Sequence, residues 1–316
     1  MFRKILKNWE IGTVDTIKPT SEGGGKTWFI KTVADNCFVL KVSDLIHAER
    51  EYKFLTGLSK TELPIAAPVL TTAGNWHADN GSGEIHCLYP KLPGSVIAEH
   101  YAGDAERRAE NFGEALGLLH HCLSRLNNVD GGREMHLVPQ IQEWALPVIE
   151  KKQKDIDFHA MERIWVDVAR NLTWLEKEMP RQTIHRDAHP SNMLFEKEQL
   201  TGFLDFELVT QGLRLFDVCY CASAILVAGF EDLEKEEQWL GLCQGLLQGY
   251  QRQQSLKTIE CKSVYEMLVA IELIFMAFWL QNNNIVQALQ LEKLITWLEK
   301  HKSGINGLTR VSGDPG

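Results

Sequence analysis

A chain of 316 residues, 44% of them hydrophobic, can bury one large core or two lobes and is not disordered. Its formal charge of −9, from 42 acidic and 33 basic residues, argues against nucleic acid or an anionic membrane surface as the main partner. Seven cysteines, an odd number without CxxC spacing, and no apolar signal region at the N-terminus point to a reducing cytoplasm.

The chain opens with β-like text. Ile11–Ile17, Thr27–Val33 and Cys37–Val42 carry β-branched and aromatic residues, and Ala34-Asp35-Asn36 joins the last two as a turn, predicting a small antiparallel sheet. Between the first two strands lies Thr20–Lys26, where Gly23, Gly24 and Gly25 would let backbone N–H groups approach a phosphate closely. A flexible hairpin loop explains the same glycines.

The next segment has helical spacing from Asp44 to Leu58, with Asp44 as cap and Leu45, Ala48, Tyr52, Leu55 and Leu58 on one face. Lys41 at the strand end and Glu51 in this helix form a candidate ion pair. Glu49 is the rival partner; two residues away and about 200° round the helix, it cannot face the sheet when Glu51 does. Ala67–Thr71 and Ile85–Tyr89 would complete a five-stranded sheet. Pro90-Lys91-Leu92-Pro93-Gly94 then stops regular structure, dividing the chain into a sheet lobe over 1–90, a linker over 91–94 and a mainly helical lobe over 95–316.

Helical patterns follow at Ala105–Leu126, Gln140–Lys152, Met161–Met179, Phe216–Val227, Glu234–Gln251, Cys261–Leu280 and Ile285–His301. The apolar run Leu268–Leu280 contains Glu272 and is too short to cross a bilayer, so it reads as a buried helix and no membrane partner is expected. His120 and His121 point about 100° apart on a helix and cannot chelate one ion together. Cys219 and Cys221 fit a core helix, and Glu231–Glu237 fits a solvated helix start.

The stretch Ile184–Phe206 organises the rest. Asp187 and Asn192 lie five residues apart in a turn-rich loop, the apolar strand Met193–Phe195 leads away, Glu196–Thr201 turns, and Gly202-Phe203-Leu204 returns to Asp205. Antiparallel pairing, with strands about 5 Å apart, brings Asp205 back beside Asn192. A carboxylate, an amide oxygen and a second carboxylate suit a hard divalent cation such as Mg²⁺. His185 and His189-Pro190 read as scaffold residues of the loop.

On these residues the chain resembles the aminoglycoside phosphotransferase and choline kinase family of small-molecule kinases. The matching text runs from the glycine loop to Phe216, and its strongest element is His185-Arg186-Asp187 with Asn192 and Asp205. The resemblance implies an α+β, two-lobed protein-kinase-like fold with a small antiparallel-sheet N-lobe and a mainly helical C-lobe. It implies Asp187 as catalytic base or positioning carboxylate, and Asn192 and Asp205 as Mg²⁺ ligands. Lys41 would contact the phosphates of ATP, Glu51 would hold Lys41, Gly23 to Gly25 would cover the phosphates, and the segment with Cys87 and Tyr89 would receive the adenine. Asp217 matches the family's structural aspartate.

Two departures refine the expectation. Asp205-Phe206 is followed by Glu207 rather than glycine, and only Leu208–Leu215 precedes Phe216-Asp217, leaving no room for a long activation loop. That disfavours a protein kinase and favours an ATP- and Mg²⁺-dependent transfer to a hydroxyl of a small molecule: an aminoglycoside, choline or ethanolamine, homoserine or a sugar-like acceptor. The alternative is a nucleotide-binding pseudokinase that scaffolds or signals. Neither the acceptor nor the oligomeric state is legible in the sequence.

Overall fold

The computed structural model describes residues 2–20, 26–81, 83–126 and 134–308. The chain forms two compact units, the first comprising Met1–Val96, Arg125–Asp130 and Asn192–Val209, the second Ile97–Ser124, Gly131–Ser191 and Thr210–Gly316.

In the first unit, β1 (Val14–Pro19), β2 (Thr27–Thr32), β3 (Cys37–Ser43), β4 (Ala78–Asp79) and β5 (Ile85–Pro90) make an antiparallel sheet in the order β1-β2-β3-β5-β4. Side chains alternate across a strand, and this sheet uses both faces. Ile30, Leu40 and Leu88 bury one face against Ile5, Leu6, Trp9 and Ile11 of the N-terminal segment. On β3 and β5 the residues one position along, Lys41 opposite Cys87, belong to the other face.

Five strands are present, but Ala67–Thr71 is not one of them; the two-residue β4 takes its place at the edge. Pro68 lacks the N–H that a ladder needs, and this stretch reaches β5 through the Val69 N–H, which donates to Leu88 O at 2.7 Å.

The helix Leu45–Leu58 starts where Asp44 caps it, Oδ1 accepting from the His47 N–H at 3.1 Å. Its buried face is Ala48, Glu51, Phe54, Leu55 and Leu58. Leu45, expected on that face, is 50% exposed: the helix is turned so that Glu51 points inward, and Leu45 lies too far round to follow.

The hairpin Met193–Glu196 and Gln199–Phe203 groups with the first unit rather than with residues 95–316, and the first unit runs to Val96, past the expected linker. The reason is pairing. Ser95 and Phe195 exchange backbone bonds of 3.0 and 2.9 Å, Phe203 N–H donates to Pro64 O at 3.0 Å, and Thr201 Oγ1 donates to Pro93 O at 2.8 Å. Gly94, at φ +83°, makes this approach possible, because a Cβ there would lie 2.7 Å from Phe195 O.

The second unit is mainly helical, with Ala105–Ser124, Phe158–Glu178, Leu215–Gly229, Leu233–Gln253, Val264–Gln281 and Ile285–Lys300 as its long helices. Gly113 and Gly249 let the first and fourth of these meet backbone to backbone, since a Cβ on either would strike a carbonyl of the facing helix. The expected helix Gln140–Lys152 begins at Leu137 and runs to Glu150 with a π-turn over Ile141–Ala145, followed by Pro147, which cannot donate to the carbonyl four residues back. Arg181–Ile184 pairs antiparallel with Thr210–Leu213. Val264–Gln281 is the one helix among the described residues long and apolar enough to cross a membrane, and 78% of it is buried inside the protein.

Candidate active site

The first unit gathers charge around Lys41. Its ammonium lies 3.1 and 3.2 Å from the two Glu51 oxygens, 2.8 Å from Asp205 Oδ1 and 2.9 Å from Glu207 Oε1. Each part arrives by a local rule: Lys41 by strand alternation, Glu51 by helix spacing, Asp205 by the hairpin's return. Glu49 instead pairs with Lys53 on the surface at 2.9 Å. Glu51 is buried and fully used, since Oε2 also accepts from the Tyr89 hydroxyl at 3.1 Å and Oε1 from the Phe206 N–H at 3.3 Å. Burial alone would lower the Lys41 pKa, but Glu51, Asp205 and Glu207 together outweigh it and hold the ammonium well above its ordinary value.

Three carboxylates against one ammonium leave an excess of negative charge. Asp205 is 46% exposed at its side chain and Glu207 24%, so their oxygens are open to a further cation, whereas those of Glu51 are committed. No group of three or more His, Cys, Asp or Glu suited to a metal occurs among the described residues. The donor set is all oxygen and hard, and Lys41 already shows that Asp205 and Glu207 converge on one positive charge.

Asn192 sits at the base of the hairpin, where its carbonyl accepts from the Leu204 N–H at 2.9 Å, one residue before Asp205. Asp205 itself has φ +63°, a left-handed conformation that a non-glycine residue adopts at a cost. Cys87 and Tyr89 are buried, and the Tyr89 hydroxyl supports Glu51. Gly23, Gly24 and Gly25 lie outside the described residues.

The second unit positions Asp187. Asp217, fully buried, accepts from the His185 N–H at 2.7 Å, the Arg186 N–H at 2.8 Å and His120 Nε2 at 3.0 Å, which fixes the loop from below. His120 also meets the Tyr250 hydroxyl through Nδ1 at 2.9 Å, so it serves as a buried bridge and not a metal ligand. Arg186, at φ +69°, makes the sharp turn that presents Asp187.

Asp187 Oδ1 accepts from the Tyr220 hydroxyl at 3.1 Å and lies 3.6 Å from His189 Nε2. Burial pushes the Asp187 carboxyl up, but His189, His185 and the Tyr220 hydroxyl outweigh it and hold it below the usual carboxylate range. Sequence reasoning placed His189 only as a loop-shaping residue and missed Tyr220. One signal was available: Tyr220 follows Asp217 by three positions on one helix, hence on the same face.

The sequence model of the phosphotransferase enzyme family APH matches residues 16–254. The chain belongs to this family. Homoserine kinase of Beijerinckia indica subsp. indica is 25% identical over 233 residues, covering 70% of this chain and 68% of the relative. Homoserine kinase of Zymomonas mobilis subsp. mobilis is 25% identical over 228 residues, covering 67% and 66%. Among solved structures, an aminoglycoside phosphotransferase from Alicyclobacillus acidocaldarius superposes with a TM-score of 0.70 at 13% identity, over 97% of this chain and 94% of that one. A microcompartment-associated aminopropanol kinase gives 0.70 at 15% identity, over 96% and 98%. An amicoumacin kinase in complex with AMP-PNP, Ca²⁺ and amicoumacin gives 0.68 at 14% identity, over 98% and 92%. The fold is therefore the expected α+β kinase-like one, with a small antiparallel sheet and a helical majority. As a member of this family the protein is a small-molecule kinase, an enzyme that phosphorylates hydroxyls.

Proposed function

We propose that the protein transfers the γ-phosphoryl group of ATP, in the presence of Mg²⁺, to a hydroxyl of a small amino alcohol or sugar-like acceptor, with L-homoserine the first compound to test. The observation that carries this reading is the cluster in which Asp205 and Glu207 converge on the Lys41 ammonium while Glu51 holds that ammonium from behind. Such a site binds a phosphate chain together with its cation.

Asn192 and Asp205 would hold Mg²⁺, which when bound neutralises charge on the phosphate oxygens. The chain's own residues do the rest. Lys41, kept protonated by its carboxylates, turns from Asp205 and Glu207 to phosphate oxygens and remains tied to Glu51. Asp187 accepts a hydrogen bond from the acceptor hydroxyl and orients its oxygen toward phosphorus. As the new O–P bond forms and the bond to the ADP oxygen breaks, the hydroxyl proton passes to the Asp187 carboxylate. A carboxylate held below its usual range is a weak base, so this proton moves late, once bond formation has acidified the hydroxyl.

The homoserine kinase relatives bring homoserine forward, and aminoglycosides, choline, ethanolamine and aminopropanol complete the panel. The test is coupled ADP release with Mg-ATP against that panel, with Asp187→Asn as control. A compound that raises turnover in the wild type and, in the variant, falls by roughly 10²–10⁴-fold supports the assignment. Turnover that survives Asp187→Asn refutes the role of Asp187. Nucleotide bound without turnover on any acceptor favours a scaffold, and no Mg²⁺-dependent nucleotide binding sinks the reading.

A further inference from the structure

Phosphoryl transfer as described uses Asp187 but leaves Tyr220, whose hydroxyl meets it, unexplained. On the helix Leu215–Gly229, Tyr220 stacks on Phe275 of the helix Val264–Gln281 with centroids 5.1 Å apart and planes 5° from parallel. The His189 ring meets it edge-on at 6.0 Å, and Phe216, one turn back, lies tilted against it at 6.0 Å. A ring contacted by three others has little freedom, and its hydroxyl therefore has one address. That address is Asp187 Oδ1, at 3.1 Å. The same oxygen faces His189 Nε2 at 3.6 Å.

We infer that Tyr220 is a positioning residue for phosphoryl transfer: clamped by Phe275, His189 and Phe216, it donates its hydroxyl to Asp187 Oδ1, and so fixes the rotamer and the basicity of the carboxylate that receives the acceptor's proton. The inference rests on the assignment of Asp187 made above.

The chemistry is consistent on both sides of the bond. Burial and the neighbouring Asp187 push the Tyr220 phenol well above its ordinary range, so it stays an O–H donor across working pH. A hydroxyl on Oδ1 anchors one end of the carboxylate, and a carboxylate anchored in this way cannot swing off the acceptor line. The titratable groups facing Asp187 include His189 and Tyr220 at Oδ1 and His185, whose Nδ1 accepts from the Asp187 N–H at 3.3 Å.

Tyr220→Phe removes the donor and keeps the ring that stacks on Phe275. The first readout needs no acceptor: ¹³C NMR of protein labelled at aspartate Cγ, with the Asp187 resonance assigned by its loss in Asp187→Asn. Its titration midpoint should rise by about half to one pH unit in Tyr220→Phe. An unchanged midpoint with a lower melting temperature would mean that Tyr220 only packs, and overturns the inference.

The second readout is kinetic, with Mg-ATP and the acceptor found in the panel, L-homoserine first. Turnover should fall by on the order of 10-fold with the nucleotide KM unchanged, and Tyr220→Phe should add nothing in the Asp187→Asn background, because the two residues act through one atom. Equal losses in both backgrounds overturn the proposal. The two readings fail separately: activity that survives Asp187→Asn removes the catalytic assignment, whereas an inactive Asp187→Asn protein with an undisturbed Tyr220→Phe removes only this one.

Discussion

Of the buried glutamates, Glu51 in the first unit and Glu272 in the second have opposite surroundings. Glu51, 4% exposed, accepts from Lys41 on both oxygens and further from the Tyr89 hydroxyl and the Phe206 N–H. Glu272, 1% exposed in the middle of the helix Val264–Gln281, has the Ser223 hydroxyl as its hydrogen-bond donor. Burial without a cation pushes Glu272 up to about 7, with Ser223 opposing the shift. A buried carboxylate with a counter-ion is part of the charge arrangement at a site, whereas one without a counter-ion must shed its charge. The same substitution should therefore act with opposite sign at the two positions.

The largest effect is expected at Glu272. Its folded-state pKa lies above the ordinary glutamate value of 4.5, so the folded protein binds more protons than the unfolded chain across the window from 4.5 to about 7. Stability contributed by the protonated form is fully present below pH 4.5 and is lost as pH rises through 7. A shift from 4.5 to about 7 corresponds to a ceiling of about 3 kcal/mol of destabilisation at pH 8. Glu272→Gln should recover much of that at pH 8 and almost nothing at pH 4.5. Urea denaturation at the two pH values measures the difference, and equal gains at both would show that Glu272 does not titrate.

Glu51→Gln should go the other way. The amide keeps one oxygen, for either the Tyr89 hydroxyl or the Phe206 N–H, and loses the charge that holds Lys41, at a cost of about 2 kcal/mol. Lys41 keeps Asp205 and Glu207, so the fold survives while the ammonium loses its anchor at the sheet. If Glu51→Gln stabilised the protein, as a buried charge in the wrong place would, the comparison would collapse.

Much of this arrangement could be read in the sequence because it rests on short-range periodicities. Strand alternation puts Lys41 on the face away from Leu40, helix spacing turns Glu51 in and Glu49 out, and a hairpin returns Asp205 to Asn192. What escaped depends on partners far along the chain. The pairing of Arg181–Ile184 with Thr210–Leu213 joins two four-residue strands too short to show a pattern. The attachment of the hairpin to the first unit depends on Ser95 and Pro64, and Tyr220 acquires its meaning only when the loop after Ile184 is laid on Asp217. Ala67–Thr71 misled for a local reason, Pro68, that composition hides and hydrogen bonding does not forgive.

Asp205 sharpens the contrast from the side of function. It is half-exposed and one of three carboxylates around a single ammonium, so Asp205→Asn should leave stability within about 0.5 kcal/mol. The proposed cation site should suffer instead, with the Mg²⁺ concentration needed for half-maximal nucleotide binding rising on the order of 10-fold or more by calorimetry. A large loss of stability with unchanged Mg²⁺ dependence would make Asp205 a structural partner of Lys41 and nothing else.

The smallest expected effect tests whether the Glu51 anchor depends on how its helix begins. Asp44 accepts from the His47 N–H at 3.1 Å, and its second oxygen lies 2.6 Å from the His47 ring. Asp44→Ala frees that N–H and should cost about 1 kcal/mol. Asp44→Asn keeps the cap and should cost only a few tenths. Glu51 lies two turns further on, held by Lys41, Tyr89 and Phe206 rather than by the cap, so the Mg²⁺ dependence of nucleotide binding should be unchanged in both variants. If Asp44→Ala weakened nucleotide binding as much as Glu51→Gln does, the helix and not the ion pair would be what holds Lys41 in place.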